Sequence, residues 1–174
     1  NDPVFVAKNN YLLTLNMLEF AREQKSLNLF WQWGTDEEYG SEQEVSLEAP
    51  LSPRNPYAAS KAAQDMLAMA YETSYNIPIL LSSCVNVIGE GQDSSKFLPT
   101  LIRKLLSDKV VKLHCDKDMV IGTRQYCDVK EICDNIIVHV HYAFDVDIMN
   151  DRDSRPKLIY NGTKLTNYSM AKLV

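Results

Sequence analysis

Tyr57 and Lys61 form the one pair of side chains whose spacing by itself suggests proton chemistry. They lie four residues apart in Pro53-Arg54-Asn55-Pro56-Tyr57-Ala58-Ala59-Ser60-Lys61. Residues at i and i+4 share a helix face, so the phenol and the ammonium can sit side by side. A neighbouring cation and the positive end of a helix dipole both favour the phenolate. We therefore expect Lys61 to lower the Tyr57 pKa. A phenol that ordinarily titrates near pH ~10 would then act as a base closer to neutrality. Alone, the spacing is common by chance and is more often that of a surface tyrosine and a solvated lysine. A second cluster stands upstream, where Leu27–Trp33 and Gly34 lead into Thr35-Asp36-Glu37-Glu38-Tyr39-Gly40. A hydroxyl and three carboxylates at a strand end lie where parallel α/β sheets handle ligands. Alone, this cluster is equally a solvated acidic loop.

The elements that must position these groups follow from pattern. Val6–Arg22 reads as a helix after a frayed entry at residues 1–5. Leu27–Trp33 reads as a strand buried on both faces, as parallel strands are. Residues 41–52 read as a polar surface loop. Pro53 and Pro56 stop any helix before the tyrosine. Ala58 to Tyr75 contains neither Pro nor Gly and reads as a helix, apolar nearly all round and so buried on two sides. Ile77–Val85 is the next strand, leading into Asn86-Val87-Ile88-Gly89. Ser94 or Ser95 can cap a helix with Pro99 in its first turn and a stripe of Phe97, Leu98, Leu101, Ile102, Leu105 and Leu106. Val110–His114 reads as a short strand and Lys117-Asp118 as a turn. Asp128 and Glu131 form a capping-box-like pair. The helix they open buries Ile132, Cys133, Ile136, Ile137 and Val140. Leu158–Asn161 is a last strand, and a helix starts at Thr166.

Composition excludes several classes. Hydrophobic content of 45% and charged content of 24% suit a soluble globular domain. A net charge of −5 gives no reason to expect nucleic acid. No run of 18 or more apolar residues occurs, so no membrane span is expected. Cys84, Cys115, Cys127 and Cys133 show neither CxxC nor zinc spacing. With no signal-peptide pattern at the start, these scattered thiols point to the cytoplasm. The sequon at Asn161 is then coincidental. His139 and His141 are not spaced as a helical metal pair, and Asp145, Asp147, Asp151 and Asp153 lack the glycine and glutamate of a calcium loop. No metal site is expected.

Taken in order, Thr35-Asp36-Glu37 with Tyr39-Gly40, Asn55-Pro56-Tyr57 through Lys61, Asn86 with Gly89, and Arg124 resemble the extended short-chain dehydrogenase/reductase family, that is, the NAD-dependent epimerases and dehydratases. Within it they resemble the nucleotide-sugar 4,6-dehydratases of the dTDP-glucose type. The resemblance implies an α/β fold: part of a doubly wound, Rossmann-like parallel sheet, with part of a small C-terminal substrate-binding region. It implies a division near residues 1–90, carrying NAD and catalysis, and 91–174, binding mainly substrate. It implies NAD as cofactor and a nucleotide sugar as substrate. Catalysis would fall to Tyr57, Lys61, Thr35, Asp36 and Glu37, with Tyr57 and Lys61 also holding the cofactor. Thr35 would hydrogen-bond the sugar hydroxyl being oxidised. Asn86, Lys96 and Arg124 would bind substrate, with Arg124 clamping the diphosphate. Loss of water needs one group to take a proton beside a carbonyl and another to protonate the leaving hydroxyl, which Asp36 and Glu37 can divide. Simple epimerases lack that pair. The family also dimerises through the helices at residues 6–22 and 57–75, so a homodimer is expected.

The chain departs from the family at several points. Leu13 replaces a glycine, Gly34 a serine, Glu38 an apolar residue, Ser83 an arginine and Ile88 a tyrosine. Glu38 is read as a solvated loop residue. Asn10 either bonds the backbone or organises the lysine through water. The six glycines form no GxGxxG, so the turn that cradles a dinucleotide is not in this sequence. We read the chain as the middle of a longer protein, inactive by itself. The alternatives are a related epimerase, reductase or decarboxylase, and a non-catalytic relic that binds a nucleotide sugar or a partner.

Overall fold

A computed structural model describes residues 2–40, 45–46, 48–145, 157–160 and 163–166. The elements are α1 (Pro3–Glu23), β1 (Phe30–Thr35), a 3-10 turn (Asp36–Tyr39), α2 (Pro56–Tyr75), β2 (Ile79–Cys84), β3 (Asn86–Ile88), α3 (Phe97–Leu105), β4 (Thr123–Asp128), α4 (Val129–Asp145), β5 (Lys157–Tyr160) and β6 (Thr163–Thr166). The fold is mixed α/β. It divides into two units, Asn1–Cys84 with Ile136–Tyr160 and Val85–Asn135 with Asn161–Val174. The division is therefore not a single break near residue 90, because a later segment belongs with the first unit.

In the first unit, β1, β2 and β5 form a parallel sheet in that order, with Thr35 opposite Cys84 at the carboxyl ends of β1 and β2. Both helices start earlier than the sequence pattern suggests, because proline opens them. Pro3 begins α1 under Asp2, whose carboxylate accepts from Val4 N at 2.9 Å. Pro56 begins α2 rather than blocking it, under Asn55. Proline's missing N–H costs nothing at a helix start. Leu18, Ala21, Ala68, Ile77 and Ile79 form the core between α1, α2 and the sheet. Tyr71 ties the two helices together, its hydroxyl donating to Glu19 at 2.5 Å. The expected burial of α2 on two sides is not seen. Ala58, Ala62, Asp65 and Ala68 are buried, while Met66, Met69 and Tyr75 are about half exposed. β1 is likewise only half buried: of its six residues, Gln32 and Gly34 are buried. It is an edge strand among the described residues, with β2 as its partner. The expected surface loop 41–52 lies partly outside the described residues, and its Val45 is buried.

In the second unit, β3 pairs in parallel with β4, and β4 pairs antiparallel with β6. Neither β3 nor β6 is evident in the sequence; Thr166 ends β6, and the rest of the helix expected from Thr166 lies outside the described residues. The expected strand at residues 110–114 does not form. Val110 is exposed there, and an isolated bridge joins Cys115 to Ile121. Lys96, not a serine, stands at the cap of α3 and makes no side-chain capping bond. Leu101 and Tyr126 form the core, with Ile88, Phe97 and Leu98 against them. The outer positions of the predicted α3 stripe, Ile102, Leu105 and Leu106, are exposed, as are Cys133 and Ile137 on α4. Asp128 caps α4 by accepting from Lys130 N at 2.7 Å, while Glu131 accepts the Cys127 thiol instead of closing a capping box. The sequon at Asn161 and the aspartates at 147, 151 and 153 lie outside the described residues.

Gly89 is a tight point of this unit. A Cβ there would lie 2.2 Å from Val129 Cγ1, at the first residue of α4. Gly89→Ala is expected to destabilise the protein by about 1–3 kcal/mol, read as a lower urea midpoint. Val129→Ala should recover part of that loss. An unchanged midpoint in Gly89→Ala would show that the contact is not tight.

Candidate active site

The acidic turn is built by Thr35. Thr35 is the last extended residue of β1 and caps the turn that follows; its hydroxyl accepts from Glu37 N at 3.5 Å and donates to Asp36 Oδ1 at 3.2 Å. Its own N–H donates to Glu38 Oε1 at 2.9 Å, which completes a capping box. Glu38 is 0% exposed, so its reading as a solvated loop carboxylate is overturned. Asp36 and Glu37 are half buried.

Asn55 joins this turn to α2. Its Oδ1 accepts from Ala58 N at 2.8 Å and caps the helix, while its Nδ2 donates to Glu37 Oε2 at 2.9 Å. That places Tyr57 in the first turn of α2 beside the acidic turn, with the residue 44% exposed. Ser60 donates to Tyr57 O at 2.7 Å and accepts from Asn10 Nδ2 at 2.9 Å. Asn10 thus steadies the turn that carries Tyr57. Neither expectation for Asn10 describes this, since its partner is a side chain on α2.

Lys61 lies one helical turn further on, half buried, and donates to Trp33 O at 2.6 Å. Burial lowers its pKa, against the attraction of Glu38 and Asp65. The expected lowering of the Tyr57 pKa by Lys61 is not found. Burial raises it, followed by Glu37, Glu38, Cys84 and Asp36. The negative groups of the site outweigh the ammonium, which is itself partly desolvated.

Tyr57, Lys61, Thr35, Asp36 and Glu37 are therefore brought together in the first unit. The second unit brings together the other three. Asn86, Lys96 and Arg124 line a cavity of about 300 Å³ with Gln92 and Tyr126. The lining holds two cations and no carboxylate, a donor set suited to phosphate oxygens. Asn86 Nδ2 donates to Gln125 O at 3.1 Å, so it also holds β3 to β4. Ile88 lines the same cavity and belongs to the core, as an apolar residue there can. Sequence reasoning missed Asn55, Asp65 and Gln92. Gln92 Oε1 is buried without a partner while its Nε2 donates to Val87 O at 2.7 Å. For Asn55 a signal existed, since Asn followed by Pro is a helix-start pattern.

Residues 1–150 match a family described as the NAD dependent epimerase/dehydratase family. The chain belongs to that family. It is 32% identical over 153 residues to a trifunctional UDP-glucose 4,6-dehydratase, 3,5-epimerase and reductase of Arabidopsis thaliana, covering 83% of this chain and 23% of that protein. The crystal structure of the dTDP-glucose 4,6-dehydratase DesIV from Streptomyces venezuelae with NAD and TYD bound superposes with a TM-score of 0.76 at 27% identity, covering 96% of this chain and 49% of that one. A UDP-galactose 4-epimerase structure superposes at 0.80 with 19% identity, over 99% of this chain and 55% of that one, and shows the fold alone. The chain spans about half or less of the length of the curated relatives it matches.

The family's dinucleotide can be tested against the residues present. Lys61 directs one of its three donors to the Trp33 carbonyl near the end of β1, one helical turn after the exposed Tyr57, and its remaining donors suit a ribose hydroxyl. No glycine-rich turn for the pyrophosphate occurs in the sequence. Residues 1–174 alone are therefore expected not to bind NAD tightly. Calorimetric binding at micromolar affinity or better would contradict this.

Two variants separate the roles of Asn55. Asn55→Ala removes cap and tether and should cost about 1 kcal/mol of stability. Asn55→Asp keeps a good cap but sets a carboxylate against Glu37. It should hold the melting temperature of the full-length protein while lowering its activity. Equal loss of both in Asn55→Asp would argue against the tether.

Proposed function

We propose that the protein containing this chain is an NAD-dependent nucleotide-sugar 4,6-dehydratase. The observation that carries this is the Asp36–Glu37 pair, held by Thr35 and Asn55 at the end of β1 next to Tyr57. The sequence relationship to the plant UDP-glucose 4,6-dehydratase and the structural one to the dTDP-glucose enzyme support it.

When bound, NAD supplies the acceptor for the hydride of sugar C4 and its later return to C6. The chain's own residues manage the protons. Tyr57 takes the proton of the C4 hydroxyl, which Thr35 orients. Lys61 holds the nicotinamide ribose. Of Asp36 and Glu37, one takes the proton at C5, acidified by the adjacent ketone, and the other protonates the leaving C6 hydroxyl. In the second unit Arg124, Lys96 and Asn86 bind the anionic end of the nucleotide sugar.

The reading extends to a homodimer. Phe5, Leu13, Met17 and Phe20 on α1 and Met66 and Met69 on α2 are all 45% exposed or more, an apolar load that a second copy would cover. It extends also to the cytoplasm, supported by four free cysteines. Among the described residues no helix is long and apolar enough to cross a membrane.

In the full-length protein, Asp36→Asn with Glu37→Gln should lower sugar dehydration by a factor of about 10² or more, with nucleotide-sugar affinity nearly unchanged. Retained dehydration would refute the mechanism. Denaturing the full-length protein should release NAD(H), seen by mass spectrometry. Its absence, together with binding but no turnover of nucleotide sugars, would favour the relic.

A further inference from the structure

Gln92 lines the cavity of the second unit together with Lys96 and Arg124. Its two amide atoms differ in their surroundings. Nε2 donates to Val87 O at 2.7 Å. Oε1 is buried and has no hydrogen-bond partner among the described residues. The amide is not free to turn over. Reversed, it would set an oxygen against the Val87 carbonyl oxygen at that same short distance, where neither atom can donate. Oε1 therefore stays the unpaired atom.

The backbone is fixed as well. Gln92 N donates to Gly89 O at 3.3 Å. Gly91, just before it, takes a φ of 80°, in the left-handed region that favours glycine. The turn after β3 thus brings the Gln92 side chain back to the strand that precedes it. A buried acceptor without a donor opposes folding. A donor arriving on a ligand would remove that cost.

The other polar groups of the cavity sort by type. Lys96 and Arg124 only donate, and they suit ionised phosphate oxygens. Asn86 already uses its amide N–H on Gln125 O. An ionised phosphate oxygen only accepts, so it cannot serve Gln92 Oε1. What Oε1 can take is an O–H or N–H carried elsewhere on the same ligand.

We propose that Gln92 is a specificity-determining residue of this cavity. Its Oε1 accepts a hydrogen bond from a hydroxyl or N–H attached next to a diphosphate, so the site tells a nucleotide sugar from a diphosphate that carries no donor. The cations supply attraction common to every diphosphate, and Gln92 supplies the discrimination. A site with an unpaired buried acceptor rejects a ligand that lacks the matching donor.

The proposal rests on the nucleotide-sugar reading of the cavity. The experiment measures binding to the full-length protein of three diphosphate diesters of equal charge: P1,P2-dimethyl diphosphate, the β-methyl ester of UDP, and UDP-glucose, with the dTDP series alongside. Weak ligands are read by competition against the nucleotide sugar. Gln92→Lys keeps a donor for Val87 O and removes the acceptor. Its added cation should hold or improve binding of dimethyl diphosphate. The preference for the nucleotide sugar over dimethyl diphosphate should fall about tenfold. Gln92→Met should show the same fall in preference, with a lower urea midpoint from the lost bond to Val87. A fall already seen with the UDP methyl ester puts the donor on the nucleoside. A fall seen only with the nucleotide sugar puts it on the sugar, and either agrees with the proposal. An unchanged preference in Gln92→Lys overturns it, including the case where Gln92→Met alone is impaired, since the side chain would then act only through Val87. If the wild-type protein binds neither UDP-glucose nor dTDP-glucose, the nucleotide-sugar reading fails and takes this proposal with it. If it binds one of them and Gln92→Lys leaves the preference intact, only this proposal fails.

Discussion

The side chain of Asn55 joins the two backbone segments on which the chemistry depends. One amide atom caps α2 and the other holds Glu37. Because Tyr57 sits in the first turn of that helix, a single residue sets both the start of the helix and the position of an acidic side chain beside it. Proline at position 56 supplies the fixed φ, which makes the register of Tyr57 against the acidic turn insensitive to fraying. The β1 end is fixed in the same way from the other side. Thr35 closes its turn with its hydroxyl and its N–H, and Lys61 reaches the Trp33 carbonyl two residues earlier.

This construction places several carboxyl groups around a phenol that the proposed mechanism uses as a base, and the electrostatics run against ionising it. The local answer is to give each carboxyl a donor. Asp36 takes the Thr35 hydroxyl, Glu37 takes the Asn55 amide, and Glu38 takes the Thr35 N–H. These bonds spread the negative charge over neutral dipoles without adding a cation. They do not reverse its sign, and Tyr57 stays above the ordinary phenol range. Lys61 cannot correct this alone, because its own desolvation already weakens it as an ammonium.

The grouping of Thr35, Asp36, Glu37, Tyr57 and Lys61 was legible in the sequence because it depends on local spacing: a strand end, a capped turn and an i, i+4 pair. The long helices of the first unit were legible for the same reason, whereas its parallel sheet was implied by the family resemblance. What escaped depends on contacts remote in sequence. Glu38 reads as one more loop acid until Gly34 and Ser83 are seen to leave space for it. Asp65 lies in an alanine-rich helix whose pattern suggests burial but gives no partner. The strand expected at residues 110–114 has the residue types for pairing but finds no neighbouring strand among the described residues, whereas β3 is three residues long and exists because β4 lies alongside. Strand propensity reports fit to a pleated surface, so short strands are decided by their neighbours.

Charge sorts the two units differently. The first gathers Asp36, Glu37, Glu38 and Asp65 around one lysine, an environment that disfavours phosphate and tolerates a neutral polyol. The second lines its cavity with Lys96 and Arg124 and no carboxylate. A nucleotide sugar carries both kinds of group, a neutral ring and an anionic diphosphate. On this reading the cavity of the second unit, taken by itself, is the one suited to the diphosphate. The departures at Gly34, Glu38 and Ser83 lie together in the acidic unit and none of them lines the cationic cavity.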